Sequence, residues 1–218
     1  MKVLLAWSSG KDSAWALHTL RQDPAVEVGA LLTTFNEVVG RVAMHAVRRS
    51  LVEAQARATG LPLWAVPIPS PCPNEIYEER MKAAMTRAAA AGFTQVAFGD
   101  LFLEDVRRYR EERLAGTGLT PIFPIWGRPT LELAHEMIGA GLEAVLTCVD
   151  PRVIDRRFAG RQYDASLLAE LPDSVDPCGE RGEFHTFCCA GPMFERRIDI
   201  AVGEVVEREG FVFVDVTH

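Results

Sequence analysis

The feature that most constrains the fold is a short apolar run that ends at once in a small, polar turn. Lys2 to Trp7 is mostly apolar and is followed directly by Ser8-Ser9-Gly10-Lys11-Asp12-Ser13. An apolar run of this length before a Ser/Gly cluster is typical of a buried strand that enters a tight loop. Ser13 to Arg21 then predicts a helix, so the chain opens with strand, turn and helix in that order.

Strand and helix patterns continue to alternate, which indicates a parallel sheet covered by helices. Helix ends are recognisable where a glycine follows a periodic segment, as at Gly60 and Gly92. The predicted strands are Val26–Thr34, Leu63–Ile68 and Gln95–Phe98, and the predicted helices are Ala43–Thr59, Asn74–Ala91 and Glu104–Leu114. The first half of the chain therefore predicts an α/β fold.

The pattern changes in residues 116–129, which are rich in glycine and proline. We predict a domain boundary there, between residues 1–125 and a smaller α+β domain of residues 126–218. A predicted helix and strand open the second domain, and an antiparallel pattern follows. These segments are Thr130–Ala140, Glu143–Val149, Phe184–Cys189, Arg197–Glu207 and Phe211–Val216.

Composition excludes several classes of protein. The net charge of −7, from 30 acidic and 23 basic residues, argues against a broad positive surface for nucleic acid. Five cysteines without a CxxC pair fit a reducing compartment better than a disulfide scaffold. No apolar stretch approaches the length of a membrane span, and we recognise no presequence. We expect a cytoplasmic protein, and the oligomeric state, including a homo-oligomer, stays open.

The first turn has the chemistry of an anion site. Successive amide groups followed by a helix N-terminus attract phosphate, and a glycine lets the backbone approach it closely. Gly10 meets that need, Lys11 adds a positive charge, and Asp12 is suited to orienting Lys11 or binding Mg²⁺. A Walker A loop needs a glycine where Leu5 stands, and no GxGxxG is present. The alternative is a solvated turn in which Ser13 caps the helix.

The turn resembles the SGGKDS signature of the PP-loop ATP pyrophosphatases, with Ser9 in place of the second glycine. The resemblance implies a Rossmann-like, adenine nucleotide alpha hydrolase-like fold. It also implies that the loop holds the pyrophosphate part of ATP. In that superfamily an acceptor oxygen is adenylated, and a nitrogen or sulfur nucleophile then displaces AMP.

A second informative segment is Asp176-Pro177-Cys178-Gly179-Glu180-Arg181-Gly182-Glu183-Phe184-His185-Thr186-Phe187. It predicts a bent loop that presents two carboxylates and an imidazole at the end of a sheet. Carboxylates in such a place can bind ammonium, accept a proton from an attacking amine or hold Mg²⁺, and His185 can carry protons near neutral pH. The alternative is a β-hairpin with exposed acids and a packed histidine.

This segment resembles the C-terminal signature of the diphthine–ammonia ligase family, also described as the DUF71-type ATP-binding domain. Gly99-Asp100, followed by Glu104-Asp105-Val106-Arg107, resembles the middle motif of the same family. The three motifs occur in the family's order and span most of the chain. The resemblance implies an ATP-dependent carbon–nitrogen ligase that adenylates an acceptor carboxylate, releases AMP and pyrophosphate, and transfers ammonia to the acceptor.

The resemblance also implies residue roles. ATP with Mg²⁺ is expected to contact the first turn and the ends of the strands beside it, with Asp12 on the metal. These residues are Ala6, Trp7, Ser8, Ser9, Gly10, Lys11, Asp12, Ser13, Thr33, Gly99 and Asp100. Expected catalytic residues are Lys11, Asp12, Asp100, Glu180, Glu183 and His185. Expected substrate contacts are Glu104, Gly179, Glu180, Gly182, Glu183 and Thr186.

The acceptor is open at this point. It is a diphthine-modified elongation factor if the source makes diphthamide, and otherwise an unidentified small molecule. Three alternatives to the ligase remain: another PP-loop enzyme acting on a small metabolite or a tRNA base, a non-catalytic ATP-binding protein, and a kinase-like enzyme that produces ADP.

Overall fold

The structure is a computed structural model and describes residues 1–42 and 47–218. Its first ten elements are β1 (Lys2–Ala6), α1 (Lys11–Arg21), β2 (Glu27–Asn36), β3 (Arg41–Val42), α2 (Arg49–Thr59), β4 (Leu63–Ile68), α3 (Asn74–Ala90), β5 (Gln95–Ala97), α4 (Glu104–Leu114) and β6 (Thr120–Ile122). The others are α5 (Thr130–Gly139), β7 (Glu143–Val149), a 3-10 helix (Arg156–Phe158), α6 (Ala165–Glu170), β8 (Phe184–Ala190), β9 (Ala201–Arg208) and β10 (Phe211–Thr217). None of the helices within these residues is long and apolar enough to cross a membrane.

The first sheet has five parallel strands in the order β4-β2-β1-β5-β6, and β3 adds an antiparallel pair to the end of β2. The chain winds outward from β1 to β2 and β4, and then returns past β1 to form β5 and β6. The strand order therefore reverses between β1 and β5. Ligands bind at the carboxyl ends of the strands at such a reversal in doubly wound sheets. The predicted α/β, Rossmann-like fold is confirmed.

The second sheet is antiparallel, in the order β8-β7-β10-β9. Its edge strand β8 lies against the start of α1, where the Cys188 amide donates to the Ser9 carbonyl oxygen at 3.0 Å. The two sheets share one large core, in which Leu5 and Trp15 from the first half pack with Phe184 and Phe187 from the second. The antiparallel sheet thereby forms one side of the first turn.

β1 is buried on both faces, because its side chains alternate between two cores. Val3, Leu5 and Trp7 belong to the core shared with the second sheet, whereas Leu4 belongs to the smaller core under α3. A strand covered on both faces has a continuous apolar sequence, and this explains the run at the start of the chain.

Three of the segment boundaries that differ from the prediction are informative. α1 begins at Lys11 rather than Ser13, so Ser13 lies inside the helix, and its hydroxyl donates to the Gly10 carbonyl at 3.0 Å instead of capping the end. The predicted helix Ala43–Thr59 is helical only from Arg49 among the described residues, and its residues 43–46 lie outside them. β9 begins at Ala201 rather than Arg197, because the chain before it makes single contacts with β8, such as Ile198 N to Cys189 O, and no ladder.

Four short elements were not predicted, namely β3, β6, α6 and the 3-10 helix. β6 is the informative one, because it contains Pro121 within the Gly/Pro-rich stretch that was expected to lack regular structure. Among the strands that the structure describes, it pairs only with β5 and so forms the edge of the sheet. An edge strand tolerates proline, because one side of its backbone needs no ladder hydrogen bonds.

Candidate active site

The first turn is organised by two serine hydroxyls. Gly10 is extended (φ −82°, ψ 171°) and immediately precedes α1. The Ser8 hydroxyl lies 3.1 Å from the Ser13 hydroxyl and accepts from the Gly10 amide at 3.3 Å. The Lys11 amide donates across to the Thr186 hydroxyl on β8 at 3.1 Å. The turn is therefore held between the parallel sheet that precedes it and the antiparallel sheet beside it.

Ser9 adopts a backbone conformation that favours glycine. Its φ of 73° lies in the left-handed region that side chains rarely occupy. Its carbonyl oxygen is fixed by the Cys188 amide and by Gln55 Nε2 at 2.9 Å, while its hydroxyl is buried with no hydrogen-bond partner among the described residues. Contacts from β8 and α2 therefore hold the loop in this conformation.

Gly99, at the end of β5, is packed against the backbone of α1. A Cβ atom at this position would lie 2.9 Å from the Asp12 carbonyl carbon and 2.9 Å from the Ser13 amide nitrogen. Only a glycine allows two backbone segments to approach so closely. This contact brings Asp100, the next residue, to the edge of the first turn at the point where the strand order reverses.

The Lys11 side chain is buried, with 2% of its surface exposed. Its ammonium donates to Asp12 Oδ2 at 2.9 Å and to the Cys178 carbonyl oxygen. Burial acts to lower the pKa of Lys11, but Asp12 and the other acidic groups nearby more than offset it and hold the pKa above 10.5. Lys11 is therefore charged, and these two bonds use two of its three N–H groups.

The loop between Asp176 and Glu183 is closed by its own carboxylates. Glu183 accepts from the Asp176 amide at 3.0 Å and from the Arg181 amide at 2.9 Å, and it is 4% exposed. Asp176 Oδ2 accepts in turn from the amides of Cys178 at 3.2 Å and Glu180 at 3.0 Å. This network places the Cys178 carbonyl on Lys11 and leaves the Glu180 side chain pointing toward β5.

Glu180 is the carboxylate of the loop that reaches the end of β5, and its pKa is raised. Its Oε1 accepts from the Leu101 amide at 2.7 Å. Burial raises the pKa of Glu180 to about 7, and the negative charges of Asp12 and Asp100 act in the same direction. Burial also raises the pKa of Asp100, against the effect of Arg110. A carboxylate with a pKa near neutrality is suited to accepting a proton at physiological pH.

His185 has the opposite shift. Burial, followed by the charge of Lys11, lowers the pKa of His185 to about 4. The imidazole is therefore neutral at physiological pH, so a protonated His185 is not available there as a proton donor. The sequence analysis predicted the same catalytic role for Glu180, Glu183 and His185, whereas the structure places each in a different environment.

Replacing Glu180 by Gln is expected to make stability less sensitive to pH. Because the folded protein raises the pKa of Glu180 above its ordinary 4.5, the group's contribution is fully present below pH 4.5 and is lost as pH rises through about 7. Gln keeps the acceptor for the Leu101 amide but carries no charge. Urea unfolding at pH 5 and pH 8 should show Glu180→Gln gaining stability relative to wild type at the higher pH. Exposed Glu104→Gln is the control, and equal differences at both pH values for Glu180→Gln would contradict the assignment.

A cavity of about 910 Å³ opens at the carboxyl ends of β1, β2 and β5. Of the predicted site residues, all except four line it. Ser9 and Gly10 face β8 rather than the cavity, and Glu183 is buried where it accepts from amides of its own loop. Glu104 is exposed at the start of α4. The three sequence motifs therefore meet at one cavity.

Asp12 is suited to hold a divalent cation. Its Oδ1 atom is buried and has no hydrogen-bond partner among the described residues, while Oδ2 accepts from Lys11. In residues 1–42 and 47–218 no group of three or more His, Cys, Asp or Glu is placed to bind a metal. A single carboxylate oxygen is compatible with Mg²⁺, which commonly binds one or two carboxylates together with substrate phosphates.

The helices α3 and α4 contribute cavity residues that the sequence analysis did not predict. Tyr77, Met81 and Met85 come from α3, and Arg110 and Arg113 from α4. Charges of both signs alternate along α4, which is typical of an exposed, salt-bridged face, and Arg113 does pair with Glu78. Arg110 instead pairs with Asp100 at 3.4 Å inside the cavity. The spacing of four residues from Tyr77 to Met81 to Met85 was the available signal.

Comparison with known proteins identifies the family of this chain. The profile of the diphthamide synthase N-terminal domain matches residues 1–119, and that of the diphthamide synthase C-terminal domain matches residues 129–217. This chain belongs to the diphthamide synthase family. The two matches contain the first turn and the Gly99-Asp100 pair in one domain and the Asp176–Thr186 loop in the other, so the cavity combines both.

Curated relatives of this family carry the name diphthine–ammonia ligase. The protein from Bos taurus is 25% identical over 243 residues, which cover 100% of this chain and 90% of the relative. The protein from Danio rerio is 27% identical over 245 residues, covering 99% and 92%. The Homo sapiens protein is 30% identical over 122 residues, covering 53% and 46%. The named relatives are thus ligases, and two of them are similar along nearly their whole length.

Proposed function

We propose that this protein is an ATP-dependent carbon–nitrogen ligase of the diphthine–ammonia ligase type, which releases AMP and pyrophosphate. The observation that carries the proposal is the convergence of the first turn, Gly99-Asp100 and the Gly179–Thr186 loop on one cavity at the strand reversal. Family membership and the names of the relatives support it. In this scheme residues 1–125 bind ATP, and residues 126–218 contribute to recognition of the substrate.

ATP lies across the carboxyl ends of β1, β2 and β5. Ala6, Trp7 and Thr33 line the part of the cavity that receives adenine and ribose. Ser8, Lys11 and Ser13 bind the phosphates, together with the N-terminus of α1, which has no side-chain cap. Asp12 would hold Mg²⁺, which would supply positive charge to neutralise the phosphates.

The first chemical step forms an acyl-adenylate. An oxygen of the acceptor carboxylate attacks the α-phosphorus of ATP, the bond from that phosphorus to the oxygen bridging the β-phosphorus breaks, and pyrophosphate leaves. Lys11 and the amides of the turn stabilise the negative charge that develops on the leaving group. These groups are fixed before the reaction by Asp12, Cys178 and Thr186, so little reorganisation is needed.

The second step transfers ammonia. The nitrogen attacks the acyl carbon, the carbon–oxygen bond to AMP breaks, and the amide and AMP are formed. The attacking nitrogen loses a proton, and Glu180, whose pKa is about 7, accepts it, with Asp100 as the neighbouring carboxylate. Glu183 and Asp176 shape the loop that presents Glu180. Neutral His185 and Thr186 lie beside the acceptor.

Product identification tests the proposal. The purified protein is incubated with ATP, Mg²⁺, ammonium and candidate acceptors, which include diphthine-modified elongation factor and small carboxylates. AMP and pyrophosphate formed in equal amounts, with an amide product, are expected. ADP would indicate a phosphotransferase instead. Binding of ATP without any cleavage across the acceptor set would indicate a nucleotide sensor, and either result would overturn the ligase assignment.

A further inference from the structure

The side of the cavity formed by α3 and α4 contains apolar residues together with charged ones, which are Glu78, Lys82, Arg110 and Arg113. Tyr77, Met81 and Met85 project from successive turns of α3, and Phe98 and Leu114 lie beside them. Met85, Phe98 and Leu114 also belong to the smaller core, so this surface is a direct continuation of buried packing. We call these five residues the apolar wall. Its chemistry differs from the side of the cavity that the three motifs form, which is hydroxyl, amide and carboxylate.

Arg110 stands where the apolar wall meets the polar side. Its guanidinium carbon lies 4.8 Å from the centre of the Phe98 ring, and its Nε donates to Asp100 Oδ2 at 3.4 Å. A charge-assisted N–H to carboxylate bond is normally 2.7–2.9 Å, so the contact with Asp100 is long. A guanidinium has five N–H donors in a planar fork that matches a carboxylate, and Asp100 occupies one.

We propose that the apolar wall and Arg110 form the acceptor subsite, in which the wall packs the apolar stem of the acceptor and Arg110 binds the carboxylate to be amidated. The substrate class is a carboxylate on an extended, mainly apolar stem. The inference rests on the proposed function, because it needs a carboxylate acceptor. Asp100 follows Gly99, which touches the backbone of Asp12, so Arg110 holds the carboxylate close to the phosphates bound at the turn.

Neighbouring arginines on the same helix provide the contrast. Arg107 pairs with Glu111 one turn away at 2.8 Å, and Arg108 is exposed outside the cavity. Arg110 is the α4 arginine that contacts a motif residue, and it is 30% exposed. Arg108 is therefore a matched control, because it has the same charge as Arg110 and lies on the same helix two positions away.

A fluorescent pair of probes tests the subsite: 7-methoxycoumarin-4-acetate and its neutral amide. Both have the same apolar body, so a difference in their dissociation constants reports on the carboxylate contact. Wild type is expected to bind the carboxylate about 10-fold more tightly than the amide, which is the usual effect of one hydrogen bond to a charged group. Arg110→Gln should remove this preference and Arg108→Gln should keep it. Met81→Gln should weaken both probes by a similar factor.

Calorimetry with α,β-methylene-ATP separates this inference from the proposed function. The analogue should bind wild type and Arg110→Gln equally, which also shows that the variant is folded, and it should bind together with the carboxylate probe. Displacement of the probe by the analogue would assign the wall to the nucleotide and overturn the subsite. An unchanged preference in Arg110→Gln, or no probe binding to wild type, would also overturn it. Failure of wild type to bind the analogue would count against the proposed function, and the probe pair would still decide the subsite.

Discussion

Replacing Gly99 by Ala is expected to lower both the stability and the nucleotide affinity of the protein. The added methyl group would lie 2.9 Å from two backbone atoms of α1, the carbonyl carbon of Asp12 and the amide nitrogen of Ser13. Backbone atoms cannot rotate away as a side chain can, so β5 and α1 must separate. Overpacking of this kind costs about 1–3 kcal/mol of unfolding free energy. A shift of about 1 Å in the turn can lower a reaction rate by about 100-fold, and we expect it to weaken ATP binding as well.

Urea unfolding and calorimetry with α,β-methylene-ATP measure the two effects of Gly99→Ala. Gly139→Ala is the matched control, because a Cβ atom there meets nothing within 4 Å. It lies at the last residue of α5, where alanine is at least as favourable as glycine. Wild-type affinity in Gly99→Ala would show that the close contact between β5 and α1 does not position the turn.

Local patterns in the sequence were sufficient to predict the strand–turn–helix unit and most of the parallel sheet. An apolar run, a glycine and a periodic helix lie next to each other along the chain, so their interpretation needs no tertiary information. The start of α1 was the exception. Serine is a residue type that often caps helices, but the helix already begins at Lys11, after the extended Gly10. Ser13 therefore lies inside the helix, and its hydroxyl donates to the Gly10 carbonyl oxygen.

The cavity wall formed by α3 and α4 was harder to predict, because spacing alone does not distinguish a core from a cavity. Tyr77, Met81 and Met85 have the same four-residue period as any packed helix face. Acidic residues alternate with arginines along α4, and this pattern favours an exposed face for Arg110. Its partner in the structure is Asp100, which precedes the helix and reaches the same space only because β5 ends there.

The two glutamates of the second motif show a further limit of sequence reasoning. Glu180 and Glu183 are three residues apart and chemically alike, so both were predicted to act on the substrate. Gly179 and Gly182 have φ values of 69° and 88°, and these left-handed turns direct the two carboxylates to different places. Glu183 binds amides of its own loop, whereas Glu180 reaches Leu101. The catalytic and binding roles of both glutamates stay predictions.

Replacing Lys11 by Ala is expected to abolish the proposed reaction. The substitution removes the cation that stabilises the departing pyrophosphate, and loss of one such group lowers a rate by about 100-fold or more. It also leaves the Asp12 carboxylate and the Cys178 carbonyl without the ammonium that both now contact. An unneutralised Asp12 would repel the triphosphate, so the affinity for ATP should fall together with the rate.

The measurement for Lys11→Ala is AMP release with ammonium and the acceptor that product identification yields, combined with binding of α,β-methylene-ATP. Lys11→Met, which keeps the length and apolar stem of the side chain, separates the lost charge from lost packing in this buried site. Lys2→Ala is the control, because Lys2 lies at the opposite end of β1 and donates to the Ala91 carbonyl at 3.0 Å. Near-normal AMP release by Lys11→Met would mean that pyrophosphate departs without this ammonium. The first turn would then be a structural element rather than the centre of catalysis.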